Sequence, residues 1–257
     1  MDVVLSPQVL AILFSAAAMA GFVDAIAGGG GLITIPVLLL AQVPPLQALA
    51  TNKLQGSFGA LTSSLMMIRK GLVRLPDMRR LFACSLAGAA LGAFSVQFVR
   101  AQTLDIVIPV VLVSIALYFL FAPNAGAIER KPRISAGKYQ GMVVPGIGFY
   151  DGMFGPGTGS FFSLAGVALR GQNLIAATAH AKVLNFASNI ASLMVFIVGG
   201  KVLWAAGGTM IVGQVIGAWC GAHAVVRGGT RLIRPMIVTV CVVMLGKYLW
   251  QKGMLPF

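Results

Sequence analysis

Negative charge is what this chain has least of: its 257 residues hold six Asp and Glu against 19 Lys and Arg. There are two histidines and three cysteines, Cys84, Cys220 and Cys241, all three inside apolar runs and without CxxC spacing. These shortages argue against a divalent-metal site or a disulfide framework, each of which needs several such side chains together. No HExxH, GxSxG or P-loop sequence occurs, so the common signatures of zinc peptidases, serine hydrolases and NTPases are missing. No cofactor and no enzymatic activity is expected. Charge of either sign is scarce, at 10% of residues, where an ordinary soluble domain carries about 25%.

Apolar sequence is what the chain has instead. Hydrophobic residues make up 58% and the mean hydropathy is +0.91. Several runs approach the ~20 residues needed to cross a bilayer. The reading is an all-α polytopic membrane protein. The N-terminus, MDVVLSPQVL, carries no Lys or Arg, so it does not read as a cleavable signal, which needs a basic n-region. The formal charge of +13 sits in short loops, where it reports membrane orientation rather than a nucleic-acid partner.

One stretch occurs twice. GFVDAIAGGGG, Gly21 to Gly31, returns as GFYDGMFGPGTG, Gly148 to Gly159. Each is an apolar run holding one aspartate, Asp24 or Asp151, and then breaking into glycines. Other landmarks recur in order: Lys53 with Lys182, Gly88-x3-Gly92 with Gly213-x3-Gly217, Pro109 with Pro235. The chain divides into an N-terminal membrane repeat (1–122), a basic linker (123–139) and a C-terminal membrane repeat (140–257). Each repeat has about four hydrophobic segments, the first broken by glycines. The expected segments are 7–27 with 32–41, 45–68, 81–99 and 106–121, then 143–154 with 160–169, 174–198, 203–226 and 236–250. The GxxxG stripes predict close helix packing.

Loop charge predicts that the repeats are inverted. The loop 69–80 holds Arg69, Lys70, Arg74, Arg79 and Arg80, while its counterpart 199–202 holds only Lys201. Conversely 100–105 holds Arg100, and 227–234 holds Arg227, Arg231 and Arg234. Basic loops face the cytoplasm, so the bias swaps between halves. Inversion needs an odd number of crossings per half, which makes each broken segment a re-entrant hairpin with glycines near its tip. The linker is then cytoplasmic and both termini are outside. A flatter topology of eight ordinary spans forces one of the arginine loops outward.

A helix break in lipid is tolerated only where it faces protein or a water-filled cavity. A half-helix that starts there points backbone N–H groups and a positive dipole end inward. Gly28, Gly29, Gly30, Gly31 and Gly155, Gly157, Gly159 are therefore candidate anion-binding positions, or else packing points. Lys53 and Lys182 lie within apolar runs, where an intramembrane charge costs at least ~2.5 kcal/mol at a helix centre. They either bind an anion or pair with Asp24 and Asp151. Those aspartates cap the glycine loops or carry protons. Thr34, Asn52, Thr158, Asn185 and Asn189 supply uncharged donors around the same places. His180 is a candidate titrating group, or a structural hydrogen-bonding one. Lys182→Ala is expected to abolish transport with the fold largely intact.

GFVDAIAGGGG followed by ATNKLQG, then GFYDGMFGPGTGSFF followed by AKVLNFASN, resembles the sulfite exporter TauE/SafE family of membrane permeases over nearly the whole chain. The resemblance implies a multi-pass protein of the bacterial inner membrane that moves sulfite or organosulfonates. It carries over to Asp24, Gly28–Gly31, Asn52, Lys53, Asp151, Gly155–Gly159, Lys182, Asn185 and Asn189. The expected function is secondary transport, in the export direction, by alternating access. A passive anion channel and a non-transporting membrane subunit remain open beside it. The expected partners are a small anion and lipid, with a homodimer left open and no nucleic acid.

Overall fold

A computed structural model describes residues 6–98 and 129–251 of the chain. The described residues form helices and connecting turns, with no strand among them. The expected span 106–121 lies outside the described residues.

Helix α1, Pro7–Ala27, opens with proline at its first position and Ser6 as N-cap, whose Oγ accepts the Val9 N–H at 3.3 Å. It ends where Gly28 turns left-handed, at φ 78°. Helix α2, Gly31–Leu40, follows at once. Helix α3, Pro45–Arg69, again starts on a proline, and α4 spans Leu75–Ser95. The α4 helix begins six residues before the expected segment. Its first turn holds Pro76 and Asp77, both favourable there, so part of the basic loop is helical.

In the second half, a turn at Ala136–Lys138 runs through a π-helical stretch, Tyr139–Val143, into α5, Val144–Met153. Helical structure thus begins seven residues ahead of the expected start at 143. Ser135 supplies the reason: its side chain caps the Lys138 N–H. Helix α6, Thr158–Arg170, follows Gly155 and Gly157, at φ 89° and 79°. Helix α7, Leu174–Val198, is capped by Asn173, whose Oδ1 accepts the Ala176 N–H at 2.8 Å. Helix α8, Trp204–Gln251, kinks at Gly229, with φ 52° and ψ −142°. The expected spans 203–226 and 236–250 are thus joined through 227–234, which is helical apart from that kink and not a loop.

Three helical stretches among the described residues are long and apolar enough to cross a membrane: Pro7–Ala27, Leu174–Val198 and Trp204–Gly229. Polarity is turned inside out. Met19, Leu91, Met194 and Trp219 are exposed, whereas Asp24, Lys53, Asn52, Asp151 and Lys182 are buried. That distribution suits a hydrocarbon solvent and not water.

The most extensive packing joins the halves crosswise, α1 against α8 and α4 against α5. Glycine makes both contacts possible. A Cβ on Gly92 would stand 2.9 Å from the Phe149 carbonyl carbon, and one on Gly217 would stand 2.9 Å from the Phe22 amide nitrogen. The predicted small-residue stripes thus hold helices at backbone contact, which dispersion rewards in lipid. Helices α3 and α7 cross at the centre. The α7 window is 67% buried, against 44% for α1 and for Trp204–Gly229.

Each short pair closes on itself. Leu13, Leu38, Val43 and Ala206 form one apolar cluster with Val9, Val37 and Leu203, gathering the start of α1 and the end of α2 beside the α7–α8 turn. At the second pair, Arg130 N–H donates to the Gly171 carbonyl at 2.7 Å and Arg133 N–H to Leu169 at 2.9 Å. The Arg170 guanidinium donates to the Ile134 carbonyl at 2.6 Å. The approach to α5 and the exit from α6 therefore lie side by side. Tyr139 and Leu174 from this end share a core cluster with Met67 and Val73, which flank the α3–α4 turn.

Candidate functional site

The two glycine breaks touch. A Cβ on Gly28 would lie 2.6 Å from the Ser160 amide nitrogen and closer still to Gly159. Only glycine combines that approach with a left-handed φ. The chain ends exposed by the break in α1 are satisfied from the other half: Ser160 Oγ donates to the Ala27 carbonyl, and Lys182 Nζ donates to the Asp24 carbonyl. These are carbonyls left over at a helix C-terminus, and a cation there also complements the helix dipole.

The two aspartates differ in what they do. Asp24 folds back on its own break, its Oδ1 accepting the Gly30 N–H at 3.2 Å. Asp151 reaches across to the first half, its Oδ1 standing 2.9 Å from Lys53 Nζ, with each side chain 1% exposed. Thr158, at the start of α6, donates to the same oxygen at 2.7 Å and to the Gly155 carbonyl at 2.8 Å. Gly155 is favoured here by its left-handed φ of 89°, and a Cβ would also crowd Lys53 Nζ at 2.8 Å. A buried ion pair of this kind is weak evidence for stability, because desolvation offsets the attraction. Its burial inside a membrane protein points to use.

A polar cavity of about 320 Å³, including its open mouth, lies beside this pair. The first half lines it with Asp24, Gly30, Gly31, Asn52, Lys53 and Gln55. The second half lines it with Asp151, Gly155, Asn185, Asn189 and Gln214. A hydrogen-bonded set orients the walls. Asn52 Oδ1 accepts from Thr34 Oγ1 at 2.6 Å and from Gln55 Nε2 at 2.8 Å. Asn189 Nδ2 donates to Asn185 Oδ1 at 3.0 Å.

Of the residues singled out from sequence, Gly28, Gly29, Thr34, Gly157, Thr158, Gly159, Lys182 and His180 do not line this cavity. Thr34 and Thr158 orient residues that do. Lys182 is spent on the α1 terminus. His180 hydrogen-bonds Gln172 at 2.7 Å, toward the loop after α6. Several break N–H groups are already used: Thr158 N–H donates to Gly155 at 3.3 Å and Ser160 N–H to Gly157 at 2.9 Å. Gln214 carries no signal in the sequence. It follows Gly213 in the packing stripe of α8, and its repeat counterpart beside Gly88 is Ala89. Its side chain occupies the space that a Cβ on Gly59 would fill.

Comparison with known proteins identifies the family. The family model for Sulfite exporter TauE/SafE matches residues 13–248. The chain belongs to the TauE/SafE family. It is 47% identical over 247 residues to the Escherichia coli K12 protein named "Probable membrane transporter protein YfcA", covering 96% of this chain and 92% of that protein. A Haemophilus influenzae "Probable membrane transporter protein" is 47% identical over 250 residues, 97% and 98% of the two chains. A Sinorhizobium relative, "Probable membrane transporter protein ORF9", is 46% identical over 235 residues, 91% and 90% of the two chains. No solved structure matches. This TauE/SafE member is accordingly a membrane transporter, and both aspartates, both lysines and both glycine breaks fall inside the matched region.

Proposed function

We propose that this chain is a secondary transporter that exports small sulfur-containing oxyanions, such as sulfite or organosulfonates, across the bacterial inner membrane. It works by alternating access around one anion site between two inverted re-entrant hairpins, α1–α2 and α5–α6. The observation that carries this reading is the meeting of Gly28 and Gly159 beside a cavity lined by both halves. The hairpin reading is supported by where the open ends lie. One gathers with the α7–α8 turn and the other shares a cluster with the α3–α4 turn, and the long helix α3 runs between those two regions. The family description, sulfite exporter, supports the substrate class.

In this mechanism Lys53 holds the anion's charge. Asn52 and Asn185, the latter oriented by Asn189, with the backbone at Gly31 and Gly155, hold its oxygens. Gly28, Gly29, Gly157 and Gly159 let the hairpin tips approach. Asp24 and Asp151 keep the unloaded site neutral and are the candidates for carrying protons. Rocking of the hairpins against α3 and α7 would expose the cavity to each side in turn.

The test is radiolabelled sulfite flux in proteoliposomes of the purified chain. Saturable flux with trans-stimulation by unlabelled sulfite is expected, and Lys53→Gln should lower it at least tenfold. A flux that rises linearly with concentration identifies a channel. No flux of sulfite or of any organosulfonate, from protein that remains folded, overturns the proposal.

A further inference from the structure

The cavity's unmatched atoms are mostly acceptors. Asp151 Oδ2, Gln55 Oε1 and Gln214 Oε1 are buried with no hydrogen-bond partner among the described residues, and all three residues line the cavity while being 1% exposed. They come from three elements, α5, α3 and α8. Gln55 directs its Nε2 to Asn52 Oδ1 at 2.8 Å, which leaves its Oε1 toward the cavity. Leaving buried acceptors unmatched is costly. A fully deprotonated anion such as SO3²⁻ offers them nothing, since it brings only more acceptors. Lys53 Nζ does not serve them all: it sits on Asp151 Oδ1 at 2.9 Å and aims no well-formed hydrogen bond.

Charge leads to the same place. The buried centre holds Asp24 and Asp151 against Lys53 and Lys182, and is formally neutral. An anion bound there leaves an uncompensated negative charge deep in a low-dielectric interior, which membrane proteins avoid. No group of three His, Cys, Asp or Glu side chains converges among the described residues, so the donor set does not suit a divalent ion. One carboxylate oxygen and two amide oxygens are hard, oxygen-only ligands of low total charge, which suits an alkali cation.

We infer that Asp151, Gln55 and Gln214 form a Na⁺ site, and that the cation is bound together with the anion. The other charged groups that line the cavity beside it are Lys53 on α3 and Asp24 on α1, while Lys182 is held at the α1 terminus. Thr158 fixes the far carboxylate oxygen of Asp151 at 2.7 Å, which leaves Oδ2 for the ion. The inference rests on the anion-transport reading for its meaning, but its first readout needs no anion.

That readout is thermal unfolding of the purified protein in NaCl against choline chloride, at fixed ionic strength and pH. Na⁺ alone should raise the Tm by about 3 °C, the shift expected of a chain this size from a site filled well above its Kd. Gln214→Leu and Gln55→Leu should each remove the shift. If one variant fails to fold, the other decides. The second readout is sulfite affinity, which should be at least tenfold tighter in Na⁺ than in choline. No Na⁺ shift, or an equal shift in wild type and variants, overturns the site. A choline sample that regains full sulfite affinity when the pH is lowered also overturns it and assigns the role to a proton. Sulfite binding that ignores Na⁺ removes the cation while leaving anion transport standing. A Na⁺ shift without binding of any anion keeps the site and removes the substrate assignment.

Discussion

The two lysines that look equivalent in the sequence are put to different uses. Lys53 faces the cavity and pairs with Asp151, while Lys182 closes the end of α1. Removing Lys53 alone strands a buried carboxylate, which typically costs about 3–5 kcal/mol. Lys53→Met should therefore lower the melting temperature sharply in detergent, and Lys53→Met with Asp151→Leu should recover most of it while transport stays absent. Lys182→Ala removes a charge-assisted bond to a buried carbonyl, worth about 1.5–3 kcal/mol. Loss of stability in step with activity is expected, in place of the intact fold that sequence reasoning predicts. A Lys182→Ala protein that melts like wild type but does not transport would return that lysine to the substrate site. The sequence made both lysines conspicuous because charge inside an apolar run is rare. It could not separate them, because the distinction lies in which half each one reaches. Gln214 stayed hidden for the opposite reason: a single amide in a glycine-rich helix reads as helix packing, and its role depends on the cavity that three helices make around it.

At the scale of elements, the helix boundaries were largely legible. Prolines at the starts of α1 and α3, and glycines after α1 and before α6, are local signals that no tertiary contact overrides. The misplaced starts, at α4 and ahead of α5, fall in polar sequence where a capping serine or a proline outweighs hydropathy. The glycine stripes make a sharp prediction. Gly92→Leu must push α4 off α5, because backbone atoms of Phe149 occupy the space, and monodisperse protein should be lost in size-exclusion chromatography. Gly146, on α5 itself, has nothing within 4 Å of an added Cβ. Gly146→Ala should be neutral or stabilising by up to about 1 kcal/mol, measured as a thermal shift. Equal damage from both substitutions would mean that helix flexibility, and not close approach, is what these glycines supply.

For the whole molecule, the proposed inverted topology makes a prediction about which loops face outward. Lys70 lies in the basic α3–α4 turn and Lys201 in the α7–α8 turn. On a background without Cys84, Cys220 and Cys241, an impermeant maleimide should label Lys201→Cys on intact cells and leave Lys70→Cys unlabelled until the membrane is opened. Labelling of both from outside would exclude the inverted arrangement. The expectation comes from sequence because basic residues concentrate in cytoplasmic loops. It did not reveal that the halves interlock, since nothing in a hydropathy pattern says that α1 rests on α8 and α4 on α5.

That interlock sets an order of events during synthesis. Helix α1 leaves the ribosome before the surface of α8 that receives it is made, and before the Lys182 that satisfies its terminal carbonyl. The nascent N-terminal half should therefore be less stable in the membrane until α7 and α8 arrive. A chain truncated before Trp204 should be cleared by membrane proteases even though most of its apolar sequence is already in place.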